Sequence, residues 1–369
     1  RGSTLYCNLE PCSYSGPGKH QPPCTAKIID SGVRRVVIGQ LDPNPRVSGR
    51  GVETLRKAGI EVCLLTENHR FWQFNDLFNT RMSLSRPFVH LKCAMSLDGR
   101  IAAAGGDSKW ITDEEARREA HRLRASRDAV AVGIGTVLAD DPLLSNRHFP
   151  GKNPRPVVFD SSLRTPVDSR MVAQRGAELL LLTAGPAGKD AGFRERKRSL
   201  ESKGVTVLAV EGTSGGRIDL SSALRTLSLH AVYSLFVEGG GGLLNSFIRE
   251  GLFDRFSAFI APVLLGGGAG AAGDLGISRV SDAVAFESSS WRRLQPACRI
   301  RVGRGRRKSV FTGLVEEVGT IRAVRKHGSY QLLEVQARMV LAGSAAGDSI
   351  SIDGACQSVT NLTDRFCGE

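Results

Sequence analysis

The chain has no apolar run able to cross a bilayer. Its longest, AELLLLTA, is far shorter than the roughly 20 residues a spanning helix needs. No basic start followed by an apolar stretch marks a secretory leader. Cysteine is sparse: 8 residues scattered over 369 do not make a disulfide framework, so reduced thiols and a cytoplasmic location are expected. Aromatics are only 6% of the chain, and no stacking or recognition motif accompanies its basic runs, RERKR at Arg194–Arg198 and GRGRRK at Gly303–Lys308. Nucleic acid is therefore not the expected partner despite a net charge of +13, and small phosphorylated anions suit that charge better. The G-x-G-x-x-G fingerprint with its distal acid is also missing.

The patterning argues for α/β layers. A length of 369 residues implies two or three domains. The start reads β-α-β-α-β: TLYCNLE, CTAKIIDSG closed by Gly32, RRVVIGQ, a DPNP turn, GVETLRKAG and IEVCLL. The polar and aromatic ENHRFWQFNDLFNTRMSLSRP reads as a connector. A second α/β pattern follows, with apolar strands FVHLKCA, DAVAVGIG, PVVFDS, ELLLLTA, VTVLAV, SLFVEGG and FSAFIAPVLLG. Its best-marked helix, TDEEARREAHRLRAS, offers Thr112 as cap and Glu115 three residues on, a capping box. RVGRGRRKS reads as a linker, and the short β-like runs after it as a small barrel. The expected domains are 1–80, 85–302 and 309–369.

Chemistry enters first at EPCSYSGPGKHQPPC, which places Cys12 before a Gly/Pro loop and Cys24 at a helix start, where thiolates are favoured. With the flanking LYCNLEPCS, SGVRRVVIGQLDPNP and GRGVETLRKAGIEV, this stretch resembles the pyrimidine deaminase half of the bifunctional deaminase–reductase of riboflavin biosynthesis. The resemblance implies a truncated cytidine-deaminase-like domain with Cys12 and Cys24 as zinc ligands. The family's H-x-E motif, which supplies the third ligand and the proton shuttle, is not among the residues before Cys7. His20 reads as a loop residue and Glu10 as structural. Weak or absent zinc and no deaminase turnover are expected.

HLKCAMSLDGRIAAAGGDSKWIT is the most specific stretch. It resembles the reductase half of the same family, which has a dihydrofolate-reductase-like fold and uses NADPH to convert a ribosylamino-pyrimidine phosphate to its ribitylamino form. The resemblance implies cofactor contacts at Ala94, Trp110, Thr136, Asp140 and Ser161. It implies substrate contacts at Ser108, Arg124, Leu144, Arg147 and Glu238, where an arginine fork suits a phosphate. Glycines between a strand and a helix in SLFVEGGGGLLNSF expose backbone N–H groups that suit a pyrophosphate, and the resemblance assigns Gly240, Gly241, Gly242, Leu243, Leu244 and Asn245 to NADPH. Lys92, Asp140 and Glu238 are the candidate catalytic residues. Lys92 reads equally as a salt-bridge partner, Asp140 as a turn cap and each arginine as a surface residue.

VFTGLVEEVGTI and GDSISIDGACQSVTNL resemble the start of riboflavin synthase. They imply a partial all-β barrel with ligand positions at Thr312–Val315 and Cys356–Ser358, although Gln357 and Ser358 depart from the family's Gly-Val-Cys-Leu-Thr. No synthase turnover is expected from this segment alone. Taken together, the chain reads as an NADPH-dependent reductase of riboflavin biosynthesis acting on a phosphorylated pyrimidine, without membrane or nucleic-acid partners, and as a homo-oligomer. A non-catalytic fragment, a basic nucleic-acid binder and a related reductase of a pterin-type substrate are the alternatives.

Overall fold

In the computed structural model the alternation of short apolar runs and amphipathic segments becomes two separate parallel sheets. The structure describes residues 2–15, 21–65, 69–146, 149, 152–185, 191–286, 288–294, 298–303, 320–327, 330–336, 349–352 and 355–358. One compact unit comprises 1–277 and 292–299, and a second comprises 278–291 and 300–369.

The small sheet at the start of the first unit has the order β1 (Thr4–Cys7), β2 (Arg35–Ile38), β3 (Glu61–Leu64), and is parallel throughout. Its crossovers contain α1 (Cys24–Asp30) and α2 (Arg50–Lys57), which help form a core of Ile28, Val36, Ile38, Val52, Leu55 and Ile60. Glycines at 32 and 59 adopt left-handed backbone where the helices end, as the sequence predicts.

Glu10 is the buried keystone of this sheet, at 3% exposure. Its Oε1 accepts from the N–H groups of Gly51 (2.8 Å) and Val52 (3.1 Å), and its Oε2 from Gly49 (2.9 Å) and Asp42 (3.1 Å). A remote carboxylate thus caps α2, satisfying N–H groups that its own N-cap, Gly49, has no side chain to reach. A structural role for Glu10 follows from this geometry. Glu10→Gln turns an NH2 group toward two of these donors and should lower stability by about 3 kcal/mol. Unfolding in urea followed by circular dichroism checks this, and an unshifted transition would refute it.

The segment read as a connector is helical: α3 (His69–Phe74) and α4 (Asp76–Leu84). It has no clean apolar stripe, and Trp72 and Phe74 stay exposed. Tertiary contacts hold it instead. Phe71 lies where a Cβ at Gly39 would be, 2.5 Å from that position. Asn79, fully buried, bonds Gln40 at 2.8 Å. Asp76 pairs with Arg255, and the Arg81 guanidinium lies 3.7 Å from the centre of the Tyr233 ring.

The large sheet is built from β4 (Phe88–Ser96), β5 (Ala129–Gly133), β6 (Arg155–Phe159), β7 (Leu180–Ala184), β8 (Thr206–Val210), β9 (Ser234–Glu238) and β10 (Arg255–Ala261). These seven lie in the order β10-β4-β9-β5-β6-β7-β8, every pair parallel. Helices α5 (Glu114–Ala125), α6 (Ile134–Asp140), α7 (Arg170–Arg175), α8 (Ala191–Ser202), α9 (Leu220–Leu229) and α10 (Gly241–Glu250) connect them. Helices on the faces explain why the strands are continuous apolar runs rather than alternating ones; all five residues of β7 are buried. The cap of α5 is one residue later than the sequence reading: Asp113 accepts from Ala116 N at 2.7 Å, while the Thr112 carbonyl takes Arg117. Thr and Asp are comparable caps, so the pattern alone does not choose between adjacent ones.

The strand order has a switch point. The chain passes from β4 to β5, continues outward to β8, and returns to insert β9 between β4 and β5. In open parallel sheets ligands bind beyond the carboxyl ends of strands at such a crevice.

Strands β11 (Ser288–Arg293) and β12 (Cys298–Gly303) follow. In the second unit β13 (Thr320–His327) pairs antiparallel with β14 (Tyr330–Gln336), with an irregularity between Ile321 and Ala323, and β15 (Ser349–Ile352) pairs antiparallel with β16 (Ala355–Ser358). Thr312–Val315 and most of the basic linker lie outside the described residues. No helix among the described residues is long and apolar enough to cross a membrane.

Candidate active site

The carboxyl ends of β4, β9 and β5 bring together residues far apart in sequence. Lys92 on β4 is in register with Glu238 on β9 and with Ser257 on β10. Glu238 is met from α5 by Arg124, whose Nε and Nη2 donate to Oε1 and Oε2, each at 2.7 Å. Arg124 Nη1 donates to the Ser145 carbonyl, also at 2.7 Å. Both side chains of the pair are almost fully buried. Burial pushes the Glu238 carboxyl up, but Arg124, with Lys92 and His121, outweighs it and holds the carboxyl below its ordinary range. Arg124 is not an open fork waiting for a phosphate, because the edge that would grip one grips Glu238.

Beside this pair is a backbone cradle. Gly239 and Gly240 have φ of 78° and 65°, and a Cβ on either would stand 3.2 Å from Thr136 Oγ1. Left-handed backbone and this close approach both demand glycine. Gly240 caps α10, so Gly241 and Gly242 contribute N–H groups of its first turn that have no partner within the helix. Of the other residues expected there, Leu244 packs in the core at 2% exposure. Asn245 is engaged elsewhere: its Oδ1 accepts from Gly273 N at 3.0 Å.

Two loops rise over the same end. The 97–109 loop is zipped to the 262–276 loop by Leu97 N to Val263 O, Ile101 N to Ala269 O and Ala271 N to Gly99 O, each 2.8 Å. Asp98 clamps them, accepting from Ser96 Oγ at 2.6 Å and from the N–H groups of Leu265 and Gly266 at 3.1 and 2.8 Å. These bonds, the Ser96 hydroxyl foremost, lower its pKa to about 2. The first loop delivers Ser108 and leads directly into Trp110. Both are exposed, and the Arg117 guanidinium lies 4.6 Å from the centre of the Trp110 ring. Lys109 between them reaches across to Asp140 at the end of α6, 2.9 Å away.

The remaining nominated residues are spread more widely. Ala94 is half-buried on β4, two residues beyond Lys92. Leu144, expected to line the substrate pocket, is 4% exposed with φ of 50°, and its side chain belongs to the core cluster. Ser161 lies past the end of β6, and its Oγ accepts from Ile218 N at 3.2 Å. Arg147 lies outside the described residues. Sequence reasoning gave no role to Asp98, Lys109 or Arg175; their signal is spatial, each bonding groups outside its own local segment.

At the other end of the chain, the Cys24 backbone N–H donates to Cys12 Sγ at 3.4 Å, which places the start of α1 against the Cys12 thiol. Burial and the nearby Cys24 raise the pKa of Cys7. Among the described residues no group of three or more His, Cys, Asp or Glu side chains is placed to hold a metal. Two thiols fall short of the four-coordinate set zinc takes. His20 lies outside the described residues.

Comparison with known proteins bears on the same segments. Residues 87–298 match the family model described as the RibD C-terminal domain, and residues 312–368 match the lumazine binding domain. The riboflavin biosynthesis protein RibD of Aquifex aeolicus is 40% identical over 285 residues, covering 77% of this chain and 76% of that one. The Escherichia coli RibD is 36% identical over 310 residues, covering 80% of each. Among solved structures, a Thermotoga maritima diaminohydroxyphosphoribosylaminopyrimidine deaminase/5-amino-6-(5-phosphoribosylamino)uracil reductase superposes with a TM-score of 0.65 at 33% identity, covering 80% of this chain and 78% of that one. Acinetobacter baumannii RibD gives 0.66 at 31%, covering 81% and 80%.

Proposed function

The chain belongs to the RibD C-terminal domain family, the reductases of riboflavin biosynthesis, and on that premise we propose that it reduces 5-amino-6-(5-phosphoribosylamino)uracil with NADPH. The observation that carries this reading is the juxtaposition of the Glu238–Arg124–Lys92 cluster with the glycine cradle at the sheet's switch point. From β4 to β6 is three strand spacings, about 14 Å, which suits an extended dinucleotide lying from Ala94 past Thr136 toward Ser161.

NADPH, when bound, supplies the hydride. The residues to hold it are Gly240–Asn245 through the first turn of α10, Thr136, Ser161 and Asp140, with Trp110 and Ala94 at the nicotinamide end. Ser108 and Arg147 are assigned to the substrate by the family resemblance alone. Glu238 accepts from its polar groups while Arg124 keeps that carboxylate ionised. As C1 of the opened sugar takes hydride, its nitrogen takes a proton, and Lys92 is the group placed to give it. Lys92 lies beside Glu238 in the strand register, within the same cluster.

Residues 1–80 are read as a cytidine-deaminase-like domain in which Cys12 and Cys24 keep two ligand positions. Since the described donors do not complete a zinc site, no deamination step is assigned to it. Residues 309–369 are read as a lumazine-binding β-barrel segment. The protein is expected to work as a cytoplasmic homo-oligomer.

Loss of nicotinamide absorbance on mixing protein, NADPH and the pyrimidine phosphate tests the reading. Folded protein that oxidises no NADPH would overturn it, and turnover of a pterin in place of the pyrimidine would move it to another substrate.

A further inference from the structure

Arg175, at the end of α7, lies outside the cluster described above and is 6% exposed. Its guanidinium does not serve the helix alone. Nη1 donates to the carbonyls of Leu143 (3.2 Å) and Leu144 (2.9 Å), and Nη2 to the Pro154 carbonyl (2.8 Å) and to Glu178 Oε2 (2.6 Å). One side chain thus ties down both ends of the stretch that follows α6. Glu178 is half-exposed and only three residues away, so it is the dispensable partner.

The grip falls on a special piece of backbone. Leu144 adopts φ of 50°, a left-handed conformation unfavourable for a γ-branched residue. Such a conformation persists only where its surroundings over-determine it. The Leu144 side chain is locked in the core with Met171 and Val172 of α7, and its carbonyl is held by Arg175. The next carbonyl, that of Ser145, accepts from Arg124 Nη1 at 2.7 Å. Two buried guanidinium groups therefore hold consecutive carbonyls, and the second of them is the one clasping Glu238.

We infer that Arg175 is a positioning residue for the pyrimidine half of the site: by fixing the Leu144–Ser145 peptide it aims Arg124, and through Arg124 the Glu238 carboxylate, at the substrate. The inference rests on the proposed reductase reading for its kinetic part. It requires that Arg175 act on substrate binding and leave the cofactor side alone, because Thr136 and the Gly240–Asn245 turn hang on α6, β9 and α10 rather than on this stretch.

The test compares wild type, Arg175→Met, Arg175→Lys and Glu178→Gln. Arg175→Met should raise KM for the pyrimidine phosphate about tenfold, the scale of a small misplacement of a binding group. KM for NADPH should stay within about twofold of wild type. Arg175→Lys, keeping the charge but losing the fork, should fall between, and Glu178→Gln should match wild type. Equal rises in both KM values, or a loss confined to thermal stability, would overturn the inference. If Arg175→Met cannot be purified, Arg175→Lys decides, and a wild-type pyrimidine KM for it would sink the idea. A second readout stands apart from activity. The Asn146 amide, bonded to Asn153 Oδ1 at 2.8 Å, should exchange its hydrogen faster in the Arg175 variants, while that of Ala116, at the start of α5, should not change. Wild type that fails to oxidise NADPH counts against the reductase reading only. Unchanged Asn146 exchange counts against Arg175 whatever the activity.

Discussion

Replacing Glu238 by leucine should lower the unfolding free energy by about 3–5 kcal/mol, because it strands a buried guanidinium. Replacing Arg124 by leucine should do comparable damage by stranding the carboxylate. Replacing both should be milder than either alone, since no uncompensated charge is left behind. The prediction depends on the almost complete burial of both side chains and on the bidentate geometry at 2.7 Å. A surface pair of the same geometry would contribute only about 0–1 kcal/mol. The pair also sets an acid limb. The Glu238 carboxyl has its pKa held below the ordinary carboxylate range in the folded protein. Its contribution is therefore complete above the unfolded pKa and is lost as pH falls through the depressed folded value. Glu238→Gln should flatten that limb while lowering stability at neutral pH. Urea titrations at pH 7 and pH 4 on the two single variants and the double would show it. Strictly additive losses, or a double variant worse than both singles, would refute the coupling. All three variants should lose reductase activity, since the carboxylate is then absent or misdirected.

Much of this architecture is legible along the chain because it is local. Continuous apolar runs bounded by glycine give the buried parallel strands, and the glycines after SLFVE give the cradle, whose conformation only glycine tolerates beside Thr136. Glu238 and Arg124 can each be nominated from their motifs. Their partnership cannot, since 114 residues separate them and only the return of β9 into the middle of the sheet brings them together. That pairing changes the chemistry expected of Arg124, from anion fork to the counter-ion of a carboxylate. The same limit hides Arg175, which looks like one more arginine near a helix end, and Asp98, whose ligands come from a loop more than 160 residues on. The helices over 69–84 escape notice for a related reason: their apolar residues are not arranged in a stripe, and contacts from β2 and β10 supply what periodicity does not. Thr112 against Asp113 is a smaller miss, a choice between adjacent caps of similar strength.

The largest effect on turnover should come from Lys92. Lys92→Met should lower kcat by about 10²–10⁴-fold, the range a positioned proton donor contributes, with KM for NADPH nearly unchanged. Lys92 stands between Glu238 and the fully buried Ser257 in the strand register, and its Nζ is 5.8 Å from the centre of the Phe259 ring. Its charge also helps lower the pKa of Glu238. A methionine variant alone would not separate a proton donor from a mere counter-ion, because both roles need the charge. Lys92→Arg separates them. Arginine restores a cation beside Glu238 but does not release its proton in a protein. If Lys92 is the donor, Lys92→Arg keeps the acid limb and thermal stability of wild type yet stays as slow as Lys92→Met. If it is only the counter-ion, Lys92→Arg recovers most of the turnover, and the proton added at nitrogen has to come from solvent.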